Sequence, residues 1–173
     1  TTLLLQERIP ASTAFHLRPA EIPEGRAPSA GPEMPMRVLH SSDTPAPEVQ
    51  LLSNGRYHVM VTNAGGGSSR ISRWREDATC DNWGAFCYIR DVATRQFWST
   101  AHQPTLKRAE AYEAIFSEAR AEFRRRDHDY ETHTEIVVSP EDDIELRRIR
   151  ITNRRHSRRT VEVTSYTEVV QFD

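Results

Sequence analysis

Cysteine, lysine and long apolar runs are all scarce in this chain of 173 residues, and each shortage narrows what it can be. Two cysteines, Cys80 and Cys87, make no disulfide framework and read as two buried free thiols of a reducing compartment. No stretch approaches the roughly 18 apolar residues that a membrane-spanning helix needs, so direct membrane insertion is not expected. Residues 1–5 lack the basic region and cleavage site of a secretory signal. The formal charge of −2 is too small to make the whole molecule a magnet for nucleic acid or anionic lipid. All but one of its 23 basic residues are arginine, Lys107 being the exception.

Proline is rare after residue 47, where only Pro104 and Pro140 occur, and dense before it. Proline fixes φ and removes a ladder donor, so residues 1–47 cannot be long helices or central strands. They are expected to be an extended proline-rich connector, with residues 48–173 as the packed module. The chain begins without Met and ends on what reads as a strand, which suggests a piece of a longer polypeptide.

From residue 49 onward, short β-branched and aromatic runs alternate with turn signals, which predicts antiparallel strands. Residues 49–52 and 57–63 flank Ser53-Asn54-Gly55, a strong hairpin signal, and residues 64–69 read as a loop around Gly65-Gly66-Gly67. Further strands are predicted over 71–75, 84–90, 96–99, 131–138, 144–152 and from 161. In 144–152, Ile144 and Leu146 share one parity but Ile149 and Ile151 the other, so a β-bulge is expected near Arg147-Arg148. Eight to ten short strands suggest an all-β antiparallel sandwich. One segment disagrees: Leu106, Ala109, Tyr112, Phe116, Ala119 and Phe123 recur at helical spacing, so residues 105–126 read locally as an amphipathic helix.

Several constellations invite chemistry. Asp129, Glu131, His133 and Glu135 would share one strand face, yet neighbours two apart on a strand lie about 6.5–7 Å apart. Charge pairing with the arginines of 147–150 is the expected role of that face, and no metal or cofactor is expected. The glycine triplet lacks the Lys-Ser/Thr of a phosphate loop and reads as a conformationally special loop. The arginine run from Arg147 to Arg159 is flanked by Glu141, Asp142, Asp143 and Glu145 before it and Glu162 after it, which argues against nucleic acid. Trp74, Trp83 and Trp98 could fill a core or stack on sugar rings, with Arg, Asp and Glu bonding the hydroxyls. No nucleophile elbow or assignable pair of catalytic carboxylates is legible.

The stretch from Leu51-Leu52-Ser53-Asn54-Gly55-Arg56-Tyr57 through Thr62, the glycine loop and Ser72-Arg73-Trp74-Arg75-Glu76-Asp77 resembles a known family. So do Phe86-Cys87-Tyr88-Ile89-Arg90-Asp91, Phe97-Trp98-Ser99-Thr100 and the segment 161–170. Together they resemble the N-terminal β-sandwich of glycoside hydrolase family 94, formerly glycosyltransferase family 36, and within it the branch of bacterial cyclic β-1,2-glucan synthases. The resemblance implies a galactose-mutarotase-like supersandwich, with residues 112–116 and 122–126 as strands against the helical spacing. It also implies that catalysis resides in an (α/α)6 barrel outside these residues, so no catalytic residue carries over. The implied role is a noncatalytic carbohydrate-binding or scaffold domain; its alternative is a purely structural, dimerising domain. Implied partners are a β-glucan or glucooligosaccharide, the barrel of the same polypeptide and a second copy, on the cytoplasmic side of a bacterial inner-membrane protein. The candidate carbohydrate-binding residues are Trp74, Arg75, Asp77 and Trp98.

Overall fold

A computed structural model describes residues 36–70 and 84–167, all within the unit Met34–Asp173. In chain order the strands are β1 (Arg37–Leu39), β2 (Val49–Ser53), β3 (His58–Thr62), β4 (Gly67–Arg70), β5 (Ala85–Asp91) and β6 (Phe97–Ser99). They continue with β7 (Ala111–Ser117), β8 (Arg120–Asp127), β9 (Tyr130–Val138), β10 (Glu145–Asn153) and β11 (Val161–Thr167). Among the described residues there is no helix, and hence none long and apolar enough to cross a membrane.

The segment with helical spacing is a β-hairpin. Strands β7 and β8 pair antiparallel from Ala111↔Arg126 to Ser117↔Arg120, turning at Glu118-Ala119. Its apolar residues alternate inward: Ala114 and Phe116 on β7 meet Ala121 and Phe123 on β8, all essentially buried. Two strands and a two-residue turn put Phe116 and Phe123 on one face, and the same positions also fit a helical stripe. Cross-strand pairing decides between them, because neighbouring strands complete the ladder.

Three sheets result. The largest runs β1-β7-β8-β9-β10, and two three-stranded sheets run β2-β3-β4 and β11-β5-β6. Both small sheets cover the same face of the large one. Leu52, Val59 and Val61 pack against Ala114, Phe116, Phe123 and Ile136, while Ile89 and Trp98 pack with Tyr130, with Ile151 and Val161 at the margin. Burial of each large apolar side chain here contributes about 1.5–3 kcal/mol. On β3 the side chains alternate, with Val59 and Val61 buried and His58, Met60 and Thr62 half-buried.

Three local expectations change. Strand β1 lies inside the anticipated connector: it is an edge strand on β7, paired through Arg37↔Phe116, Val38↔Ile115 and Leu39↔Ala114. Residues 41–48 are tied down by the buried Asn63. Its amide donates to the Ser41 carbonyl at 3.1 Å and Thr44 Oγ1 at 3.0 Å, and its Oδ1 accepts from the Glu48 N–H at 3.1 Å. The expected bulge near Arg147-Arg148 is absent, since β9 and β10 keep one register from Glu145↔Val138 to Asn153↔Tyr130. Ile149 and Ile151 face inward, and the parity conflict is resolved by leaving Ile144 and Leu146 exposed.

The glycine loop is shorter than expected, because Gly67 already begins β4. A Cβ on Gly65, at φ +91°, would lie 2.2 Å from Ala101 Cβ, so this loop is glycine-rich to let residues 64–65 and 101–103 pack closely. The expected hairpin at Asn54-Gly55 is present, with β2 and β3 paired antiparallel and joined by residues 54–57. Asn54 Oδ1 accepts from the N–H groups of Arg56 and Tyr57, and its amide donates to the carbonyls of Ser139 and Asp142 in the β9–β10 turn.

Candidate functional site

Alternation along β8 and β9 sends one set of side chains to the core and the other to the outer face of the large sheet. The outer set is charged. In register across β7, β8, β9 and β10 stand Glu113, Arg124, His133 and Arg150, and beside them Ile115, Glu122, Glu135 and Arg148. Glu122 and Glu135 lie directly opposite each other and are nearly buried. Two facing carboxylates repel, and arginines offset this. Arg120 reaches Glu122 at 2.9 Å and Glu135 at 3.2 Å, Arg124 lies 3.5 Å from Glu122, and Arg148 bonds Glu135. The Arg148 hydrogen bond outweighs burial and, with the charges of Arg148, His133 and Arg120, holds the Glu135 carboxyl below the usual range.

His133 Nε2 lies 2.8 Å from Glu122 Oε2. Ligand atoms of Glu122, His133 and Glu135 fall within 4.8 Å of one another, close enough for a cation. Three guanidinium groups already compensate those two carboxylates, so the trio is built as an ion-pair network. The expected pairing between the acidic strand face and the arginine-rich strand is therefore present at Glu135–Arg148, and it extends to Glu131–Arg154. Asp127 does not join that face. It is turned inward, where it takes a bidentate pair of hydrogen bonds from Arg125, each 2.6 Å.

A groove of about 840 Å³ opens at the end of the large sheet where β7 begins. Strand β1 covers only Ala114, Ile115 and Phe116 of β7, and the chain then leaves at His40, so His40–Ser42 form one wall. Arg124, His133 and Arg150 line it from the strands, with Arg108 and His102 from the preceding loops. Tyr112 also lines it; burial pushes its hydroxyl far up, and that hydroxyl donates to the Asn63 carbonyl at 2.6 Å. Most of the lining residues carry hydrogen-bonding side chains.

Of the four residues nominated for sugar contact, Trp74, Arg75 and Asp77 lie outside the described residues. Trp98 is placed in the core, 2% exposed, with its ring centroid 5.3 Å from that of Tyr130. Residues 97–99 pair with β5, and alternation turns Trp98 inward between the sheets, so it supplies no exposed stacking surface. Nearby, burial opposes ionisation of Asp91, but the N–H of Thr94, the Tyr130 hydroxyl and the N–H of Ala93 together prevail and leave its carboxyl low. Cys87 is a free, half-buried thiol whose ionisation burial disfavours, and Cys80 lies outside the described residues.

Of the groove residues, Glu131, His133 and Arg150 were singled out from the sequence, as members of a charge-paired face rather than of a sugar site. A usable signal was present in 120–124, where Arg120, Glu122 and Arg124 alternate with Ala121 and Phe123. The competing helical period obscured it.

Residues 32–173 match the description "Glycosyl hydrolase 94, supersandwich domain". The cyclic beta-(1,2)-glucan synthase NdvB of Rhizobium meliloti (strain 1021) is 35% identical over 97% of this chain. The N,N'-diacetylchitobiose phosphorylases of Vibrio furnissii and Vibrio proteolyticus are 26% and 24% identical, each over 76% of it. The chain spans 6% of the length of the glucan synthase and 18% of each phosphorylase. The all-strand antiparallel architecture agrees with that description, and the chain belongs to the glycosyl hydrolase 94 family, as its supersandwich domain.

Proposed function

We propose that this domain is a noncatalytic scaffold and sugar-holding module of a cyclic β-1,2-glucan synthase-like protein. It would dock an (α/α)6 catalytic barrel of the same polypeptide on the cytoplasmic side of a bacterial inner membrane. The observation that carries the reading is the match to a glucan synthase over 97% of the chain, though the chain covers only 6% of that relative. Most of such a protein, and its chemistry, would lie outside these residues. The groove supports the sugar-holding part: guanidinium, imidazole and carboxylate groups are the partners that sugar hydroxyls require. With Trp98 in the core, hydrogen bonding rather than a Trp98 stack would hold the glucan.

Titration of the ¹⁵N-labelled chain with linear β-1,2-linked glucooligosaccharides tests this. Saturable shifts clustered around Arg108, Tyr112 and Arg150 are expected, weakened severalfold in Arg108→Ala. Silence at tens of millimolar sugar removes the sugar-holding role and leaves docking alone.

A second reading, a structural and dimerising domain, is favoured by the exposed Leu146 on β10 and Val163 on β11, both strands at the ends of their sheets. Sedimentation showing only monomer across a wide concentration range would sink it.

A further inference from the structure

We propose that the floor of the groove is an oxyanion-binding site, centred on His133 between Arg124 and Arg150. Cα partners run Arg124↔His133↔Arg150 across β8, β9 and β10. Adjacent strands lie about 4.8 Å apart, so the two arginine stems rise about 10 Å apart on the same face, on either side of the imidazole. Guanidinium stems of that length can converge on one anion above the central residue.

The charge balance selects an anion. Of the three acids lining the groove, Glu110 accepts from Arg126 at 3.0 Å and Glu131 is bonded by Arg154, which leaves Glu113, 3.4 Å from His40 and opposite Arg124, as one carboxylate against the guanidiniums of Arg108, Arg124 and Arg150. Arg125 is consumed by Asp127. By contrast, among the described residues the side chains of Arg150 and Arg108 make no hydrogen bond or ion pair, although both residues line the groove. Arg124 holds only the longer 3.5 Å contact to Glu122. The uncompensated charge is therefore positive and sits on exposed guanidiniums, which need little desolvation to bind. Planar guanidinium forks match the oxygens of phosphate, sulfate or carboxylate in bidentate fashion, which a neutral sugar cannot exploit. The inference rests on this charge arrangement and stands whether or not the groove also holds a glucan.

The test is a titration of the ¹⁵N-labelled chain at constant ionic strength, sodium sulfate or inorganic phosphate replacing sodium chloride. Saturable shifts are expected at Arg124, His133 and Arg150, with at least fivefold weaker binding in Arg150→Gln. Arg95→Gln, an exposed site outside the groove, should bind like the parent. A parallel arm with glucose 6-phosphate separates the two sources of the oxyanion. Tighter binding than sulfate assigns the site to an esterified sugar, and equal binding to the free ion. Linear, unsaturated shifts spread over all surface arginines, or unchanged affinity in Arg150→Gln, overturn the proposal. Neutral oligosaccharide binding is read separately, so its success or failure leaves this result intact.

Discussion

Arg125 carries a fully buried charge, and removing its partner Asp127 offers a sharp test of the packing argument. Its side chain is fully buried between the large sheet and residues 101–107. Nε and Nη2 donate to the two carboxylate oxygens of Asp127, Nη1 donates to the Ala101 carbonyl, and Nη2 reaches the Lys107 carbonyl at 3.3 Å. Asp127→Ala removes the counter-charge and leaves a guanidinium buried with two carbonyl partners. Breaking a buried pair from one side costs about 3–5 kcal/mol. With a urea m-value of about 2 kcal/mol/M, a loss of about 4 kcal/mol lowers the unfolding midpoint by about 2 M. The assay is urea unfolding of the chain followed by circular dichroism. The double variant Arg125→Met with Asp127→Leu should recover part of that loss, because it buries no charge. Recovery stays partial, since the Ala101 and Lys107 carbonyls lose their donor at about 1–3 kcal/mol for each unsatisfied group. A midpoint shift under about 0.5 M for Asp127→Ala, or a double variant no better than the single, would refute the reasoning.

Two further outcomes follow from the same geometry. Gly65→Ala forces a methyl group to 2.2 Å from Ala101 Cβ at a positive φ, and overpacking of this kind costs about 1–3 kcal/mol; a thermal midpoint within 1 °C of the parent, on a scale of several degrees per kcal/mol, would show that the loop yields freely. The lowered pKa of Glu135 means the folded state holds fewer protons than the unfolded chain near pH 4, so its contribution is complete above the ordinary glutamate range and is lost as pH falls through the folded value. Urea midpoints should therefore hold steady from pH 7 to about 5 and fall below about 4.5, with a shallower acid slope in Glu135→Gln; identical slopes would place the acid sensitivity elsewhere.

Much of the fold was legible in local pattern. Period-two alternation identified β3, because a strand with one buried face must alternate, and β-branched and aromatic runs between turn residues marked β5, β9 and β11. The hairpin of β7 and β8 was not legible by spacing. Its Ala, Glu and Arg favour helix, and pairing with β1 and β9 outweighs that preference only in the assembled sheet. The family resemblance already pointed to strands there, and the register bears it out. The site was less legible still. Trp98 reads from the sequence as core or as sugar platform, and its place between two sheets decides for the core.

By itself the sequence determined an all-β antiparallel domain, a glycine loop of conformational rather than phosphate-binding purpose, and membership in a carbohydrate-active family. These depend on neighbours along the chain, or on motifs in order, and both are written in one dimension. Tertiary structure decided the rest: that residues 37–39 join the sheet, that Glu122 and Glu135 face each other beneath arginines, and that Arg124, His133 and Arg150 form one row. Those residues are far apart in sequence, and strand register alone brings them together. A one-residue slip of β8 would send the same charges into the core.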